Sequence, residues 1–149
     1  MARGYIYEIS ENKEELFRMD ESDFYEKINF EADYFSNENL EERSFLEEKL
    51  NPLGIEFVHE KGTDHITFMI SEQQKENYFQ DRYEKLKKKV NEITLAEFAQ
   101  GRFDDIQSLI EDTFDDAMYY NYELMTLDTF IRISNPNSKY YLGNVVLMH

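Results

Sequence analysis

Residues 55–70 read Ile55-Glu56-Phe57-Val58-His59-Glu60-Lys61-Gly62-Thr63-Asp64-His65-Ile66-Thr67-Phe68-Met69-Ile70. Two stretches rich in β-branched and aromatic residues flank a short polar segment, which is typical of a β-hairpin. A two-residue loop of Gly62 and Thr63 fits a type II′ turn, because glycine then occupies the position that needs a positive φ. That turn pairs Phe57 with Phe68 and His59 with Ile66.

The predicted register separates the side chains of the hairpin into two sets. One face carries Ile55, Phe57, His59, Ile66, Phe68 and Ile70, and the other carries Glu56, Val58, Glu60, His65, Thr67 and Met69. Successive side chains of a strand point to opposite sides, so a slip of one residue would mix the two sets. We therefore expect the first, apolar face to pack on helices, with His59 partly buried and His65 opposite Glu60.

Strands are also predicted at both ends of the sequence, at residues 4–9 and 140–148, with Gly143 as a bulge. Together with the hairpin they predict an α+β fold, in which a small antiparallel sheet is packed by several helices. The chain has only two prolines and five glycines, so no linker is expected. Residues 1–149 are predicted to form a single acidic α+β domain.

Amphipathic spacing and capping boxes predict the helices between these strands. The apolar residues Phe24, Ile28, Ala32 and Phe35 indicate one helix, and a second begins at Asn39 and ends before Pro52. The longest runs from about Glu72 to Ile93, and its seam of Phe79, Tyr83, Leu86, Val90 and Ile93 is expected to face the core. Further helices are predicted at 94–99, from Arg102 to about Met118, and around Phe130.

Composition limits the function. The 149 residues include 32 acids and 16 bases, a net charge of −16, and no cysteine. Such a charge repels phosphate backbones and anionic membranes, so neither direct nucleic-acid binding nor membrane binding is expected. The lack of cysteine excludes disulfides, thiolate nucleophiles and sulfur-based metal sites. No apolar run is long enough for a transmembrane helix or a signal peptide, so a cytoplasmic protein is expected.

The helix predicted after Gly101 has an acidic face. Its apolar residues fall on one side, and six carboxylates fall on the other, none with a lysine or arginine four positions away. These are Asp104, Asp105, Glu111, Asp112, Asp115 and Asp116. Exposed helix faces are ordinarily charged but of mixed sign, so a row of one sign indicates a surface that meets a basic groove. Tyr119 and Tyr120, just beyond, could supply aromatic contacts to a partner or could pack in the core.

The sequence thus predicts a non-enzymatic acidic binding or inhibitor protein that occupies the basic surface of a nucleic-acid-handling protein. An immunity protein, an antitoxin or a DNA mimic directed against a defence system would fit, with a nuclease, a toxin or a defence effector as partner. The alternative is an interaction or scaffold module whose acidity serves only solubility. The sequence does not indicate an oligomeric state.

Enzymatic chemistry has little support in the sequence. The chain lacks the calcium-loop pattern, the Glu-x-x-His pattern of carboxylate-bridged metal sites, the phosphate-binding glycine loops and the G-x-S-x-G motif. No cofactor or metal site is therefore predicted. Because any two carboxylates could meet in space, a carboxylate- or metal-dependent hydrolase stays open as a third reading.

Overall fold

The fold is described from a computed structural model over residues 4–16, 32–36, 40–110 and 116–148. Seven strands in this part of the chain form one sheet. They are β1 (Tyr5–Ser10), β2 (Ala32–Ser36), β3 (Phe57–His59), β4 (Ile66–Phe68), β5 (Ala117–Tyr120), β6 (Glu123–Thr126) and β7 (Tyr140–Met148). The helices are α1 (Leu40–Leu50), α2 (Glu72–Glu92), α3 (Leu95–Ala99), α4 (Asp104–Ile110) and α5 (Leu127–Ile133), with 3-10 turns at Lys13–Glu15 and Asn51–Leu53.

The sheet is mixed and larger than the sequence predicted. Its strand order is β3-β4-β7-β1-β5-β6, and β2 pairs with β7 as well. β1 runs antiparallel to β7 but parallel to β5, with Ile6 opposite Ala117. The α+β class is confirmed, and the strands predicted for the antiparallel sheet, β1, β3, β4 and β7, do pair antiparallel, but the complete sheet also contains β2, β5 and β6 and is mixed. The difference arises because Ala117–Tyr120 form a strand beside β1 where a helix was expected.

The central hairpin has the predicted register but a different turn. Phe57 pairs with Phe68 and His59 with Ile66. The Thr63 amide donates to the Glu60 carbonyl at 3.3 Å, so the tight turn begins at Glu60. Gly62 then takes the third turn position, with φ at +77°, which is the position where a type II turn needs glycine. The hydrophobic alternation therefore sets the register, although the turn lies one residue earlier in the chain than predicted.

The core lies on the face of the sheet that carries the apolar side of the hairpin. Phe130 of α5 contacts the rings of Phe68, Tyr120 and Tyr140 at centroid distances of 5.2–6.3 Å. α1 contributes its predicted inner residues Leu46 and Leu50 to the same cluster. His59 was expected to be partly buried there, but it is exposed and lies 3.0 Å from Glu47, because the core ends before this edge strand does.

Two predicted helices need correction. Ala32 and Phe35 were placed on a helix but lie in β2, which pairs antiparallel with β7; residues 24 and 28 of that prediction lie outside the described part of the chain. The helix predicted from Arg102 to Met118 is helical in α4, and its last residues, Ala117 and Met118, belong to β5. In both cases a short apolar segment can form either a helix or a strand, and pairing with a neighbouring strand decides the outcome.

The long helix α2 begins at the predicted Ser71–Gln74 capping box, and Gln74 Nε2 also donates to the Gly54 carbonyl at 2.5 Å. Its apolar seam, however, does not line the core. No residue of α2 is buried, and Tyr83 and Val90 are exposed. Only the first turns of this helix reach the sheet, where Tyr78 and Phe79 pack against the core cluster. The prediction that this seam faces the core is therefore wrong beyond Phe79.

A buried ionic contact fixes α2 to the rest of the molecule. Asp128, in the first turn of α5, accepts a hydrogen bond from the Tyr78 hydroxyl and pairs with the guanidinium of Arg82. Arg82 also donates to the carbonyl of Leu109 in α4 at 3.0 Å. Breaking a buried pair leaves an uncompensated charge, so this contact holds the helix strongly in place.

Candidate functional site

The predicted acidic face is divided in the structure. Asp104 and Asp105 lie in the first turn of α4 and are exposed, as a row of partner-binding carboxylates requires. Asp105 is 3.6 Å from Lys89 of α2, a distance at which an exposed pair contributes little energy. Glu111, Asp112 and Asp115 lie outside the described residues. The part of the face that the structure describes is therefore partly neutralised.

Asp116 does not belong to that helix. It comes directly before β5, and its Oδ1 accepts a hydrogen bond of 3.0 Å from the backbone amide of Tyr5. Its Oδ2 lies 2.7 Å from Lys49 of α1. Since both oxygens are engaged within the molecule, Asp116 fastens the start of β5 to β1 and α1. The continuous helical row through Asp116 is wrong.

The two predicted tyrosines point to opposite faces of β5. Tyr119 pairs with Glu8 and is 9% exposed, whereas Tyr120 pairs with Ile9 and packs its ring 5.5 Å from that of Phe130. Tyr122 follows in the turn and is 66% exposed. The core alternative thus describes Tyr119 and Tyr120, and Tyr122 is exposed.

The turn between β5 and β6 brings the exposed tyrosine forward. Tyr120 pairs with Glu123, which leaves Asn121 and Tyr122 as a two-residue loop. Both have positive φ, at +52° and +62°. This is the type I′ geometry that matches the twist of a hairpin, and asparagine tolerates it better than tyrosine does. The Tyr119-Tyr120-Asn121-Tyr122 sequence, with asparagine at the loop position, was the signal that could have revealed this hairpin.

Carboxylates from the end of β1 surround these tyrosines. The Tyr120 hydroxyl donates to Glu11, and Ser10 Oγ lies 3.4 Å from Glu15 Oε2. The short 3-10 helix that carries Glu15 is held by its Asn12 cap, whose side chain accepts from the Glu14 amide at 3.0 Å. A sequence reading centred on one acidic helix missed these acids, because β1 and β5 are far apart in the chain.

The two segments enclose a small cavity of about 70 Å³. Among the described residues, those that line it are Glu8, Ile9, Ser10, Glu15, Tyr119, Asn121 and Tyr122, and none of these is basic. We call Glu11, Glu15, Tyr119, Tyr120 and Tyr122 the acidic tyrosine site. This volume is several times the space that one water molecule requires, so the cavity can take one ammonium or one edge of a guanidinium group.

The electrostatics of the site favour positive charge. Burial, and then the hydrogen bond to Glu11, raise the pKa of the Tyr120 phenol above its ordinary value of 10.0. Burial likewise raises the pKa of Tyr140, which lies 5.9 Å from Tyr120 between ring centroids. These phenols therefore stay neutral donors at physiological pH. Carboxylates beside aromatic faces attract cations both by charge and through the ring quadrupole.

The described part of the chain shows no metal-binding cluster. It contains no group of three or more His, Asp and Glu side chains placed to hold a metal ion. His65 lies 3.4 Å from Glu60, as expected for this cross-strand pair of the hairpin. No described helix has the length and apolar character that crossing a bilayer requires.

Comparison with protein-family models, with curated proteins and with solved structures gave no significant match. The function therefore has to be inferred from the geometry and charge of this chain alone.

Proposed function

We propose that this chain is a non-enzymatic acidic binding protein whose partner is a protein with a basic surface. The acidic tyrosine site carries this proposal, because Glu15, Tyr119 and Tyr122 line a cavity that suits a single cationic head group. Glu11, which accepts a hydrogen bond from Tyr120, adds a second carboxylate just after β1. Carboxylates in such a place select lysine or arginine, and tyrosines are favoured at the centres of protein interfaces.

The overall charge favours the same class of partner. With a net charge of −16, the chain attracts basic proteins over distances of about a Debye length, which speeds their encounter. Proteins that handle nucleic acids carry basic surfaces that neutralise phosphates, so a nuclease, a toxin or a defence effector is the partner class we propose. An immunity protein, an antitoxin or a nucleic-acid-mimicking inhibitor would each act by covering such a surface.

One observation favours the alternative, a scaffold module whose acidity serves solubility. Asp116 is paired with Lys49, and Asp105 lies close to Lys89, so two carboxylates of the predicted binding face already have cationic neighbours. An experiment must therefore separate the effect of one site from the effect of total charge.

Two double reversals make that separation. Glu11→Lys/Glu15→Lys alters the acidic tyrosine site, and Glu72→Lys/Glu76→Lys alters exposed acids of α2 while changing the net charge equally. Binding of a decalysine peptide is measured by titration calorimetry at low and at physiological salt. We expect the first variant to lose affinity by about tenfold or more and the second by about threefold or less.

Equal losses in the two variants would show that only total charge matters, and they would favour the solubility module. A parent chain that does not bind decalysine even at low salt would overturn the proposal. Circular dichroism of both variants confirms that the fold is retained. For any basic nuclease found to bind, competition by duplex DNA tests whether its nucleic-acid surface is the one that is covered.

A further inference from the structure

Residues 72–110 form a helical arm that stands away from the core. α2 spans 21 residues, which corresponds to about 31 Å at 1.5 Å per residue. α4 returns alongside it, held by the Arg82 bond to the Leu109 carbonyl at 3.0 Å. α2, α3 and α4 lie wholly within the described part of the chain, and none of them has a buried residue. The arm is therefore anchored at its base and exposed along the rest of its length.

Apolar side chains are concentrated at the far end of the arm. Leu95 is 83% exposed and Phe98 65% exposed, and Val90 and Phe103 are exposed beside them. The rings of Phe98 and Phe103 lie 6.0 Å apart between centroids. We call these four residues the arm tip. Exposed apolar residues scattered singly are normal, but several near one another in sequence, two of them in ring contact, mark a contact surface.

The sequence holds the arm tip in a fixed conformation. α3 is only five residues long, yet it has a complete capping box in which Thr94 accepts from the Glu97 amide and Glu97 accepts from Thr94. The chain then turns at Gly101, whose φ is +72°. Short helices are marginal without such caps. Preorganisation of exposed apolar side chains lowers the entropy cost of binding through them.

The charge of the arm indicates which kind of molecule can bind at the arm tip. The arm contains eight acidic and seven basic residues, a net charge of −1, so the remainder of the chain carries −15 of the total of −16. A basic partner is drawn to the remainder, and four lysines between residues 85 and 89 repel it from the arm. A second copy of this acidic chain is instead repelled by the remainder of the first copy. The repulsion between the two molecules is weakest where their arms meet.

The arm also carries both signs of charge next to its apolar residues. Lys87 and Lys88 of α2 precede the arm tip. Glu97 of α3 lies within it, and Asp104 of α4 follows it. A two-fold pairing uses the same patch on both copies, so each lysine-bearing segment can face the carboxylate-bearing segment of the other. We propose that the arm tip is a self-association surface through which two copies of this chain pair.

Sedimentation equilibrium of the full chain over a range of salt concentrations tests this proposal. We expect a monomer–dimer equilibrium that strengthens as salt is raised, because screening removes the repulsion between the two acidic bodies. Leu95→Lys/Phe98→Lys is expected to weaken dimerisation by about tenfold or more, as loss of central apolar contacts does. The matched control, Val58→Lys/Ile133→Lys, introduces the same charges at exposed apolar positions outside the arm and is expected to dimerise at least as well as the parent.

A parent chain that is monomeric at every protein and salt concentration would overturn the proposal. So would a dimer that the control variant weakens as much as the arm-tip variant does. The outcome is independent of the decalysine experiment, since binding of a basic probe weakens with salt while this dimer strengthens. Circular dichroism shows whether each variant is folded, so a loss of dimer can be assigned to the surface.

Discussion

Gly143 lies against the carboxylate of Glu8, which predicts a strong coupling between these two positions. Glu8 lies on the central strand with its side chain buried, and its Oε1 accepts a hydrogen bond of 2.9 Å from the backbone amide of Asn144. A Cβ atom added to Gly143 would lie 2.9 Å from the carboxyl carbon of Glu8 and 3.1 Å from Leu16 Cδ2. Gly143→Ala therefore forces either overpacking or displacement of the carboxylate.

Each of the two responses has a cost that can be bounded. Overpacking of a filled interior costs about 1–3 kcal/mol. Displacement of the carboxylate leaves the Asn144 amide without its acceptor, which costs about 1–3 kcal/mol. The protein adopts whichever of the two arrangements costs less free energy. We therefore expect Gly143→Ala to lower the free energy of unfolding by about 2 kcal/mol. Urea unfolding followed by circular dichroism then shows a midpoint lower by about 1 M, with an unchanged m-value.

A double-mutant cycle shows whether the carboxylate is the cause. In a Glu8→Ala background the space is vacant, so Gly143→Ala is expected to cost less than about 0.5 kcal/mol and to give a coupling energy of about 1.5 kcal/mol or more. Gly101→Ala serves as control, since a Cβ there meets nothing within 4 Å and only its φ of +72° is unfavourable. An equal loss from Gly143→Ala in both backgrounds would refute the reasoning.

Three further results are expected. Asp128→Asn removes the charge that pairs with Arg82 of α2 and should lower the free energy of unfolding by about 2–3 kcal/mol. Amide hydrogen exchange along α2 should become faster. Unchanged exchange in α2 would contradict the claim that Asp128 holds this helix in place. The raised pKa of Tyr120 means that the folded chain holds this proton more tightly than the unfolded chain does, so its contribution to stability is complete below pH of about 10 and is lost as the pH rises further. Tyr120→Phe should therefore flatten the alkaline decline of stability in thermal unfolding, and an unaltered slope would argue against this assignment. Lys49→Ala breaks only an exposed pair and should lower the free energy of unfolding by less than about 1 kcal/mol. Asp116→Ala also removes the acceptor of the Tyr5 amide and should lower it by about 1–2 kcal/mol more, as measured by urea unfolding. The reverse order of the two variants would show that the bond to Tyr5 contributes nothing.

Local patterns predicted those elements whose structure depends on nearby residues. The register between β3 and β4 follows from alternation, and the start of α2 from the Ser71 capping box. Both signals lie within a few residues of the structure that they specify. The bulged strand at Gly143 and the turn at Gly101 were foreseen for the same reason.

Elements that depend on distant partners were not predictable in this way. Ala117 and Met118 continue a helical spacing, and only the pairing with β1 turns them into a strand. The seam of α2 looks like a core face, but what lies opposite it cannot be read from its own sequence. The acidic tyrosine site has the same character, because Glu11 and Tyr120 meet across 109 positions in sequence.

The central position of β1 has a consequence for biosynthesis. Its neighbours on either side are strands that the ribosome makes much later, as shown by bonds from Tyr5 to Asp116 and from Glu8 to Asn144 across 111 and 136 positions. The tyrosine-rich first strand must therefore remain unpaired through most of translation, while the hairpin and the arm can already form. Such late closure slows folding and exposes the nascent strand to aggregation, so yield in the cell should depend more on chaperone supply than the stability of the finished molecule would suggest.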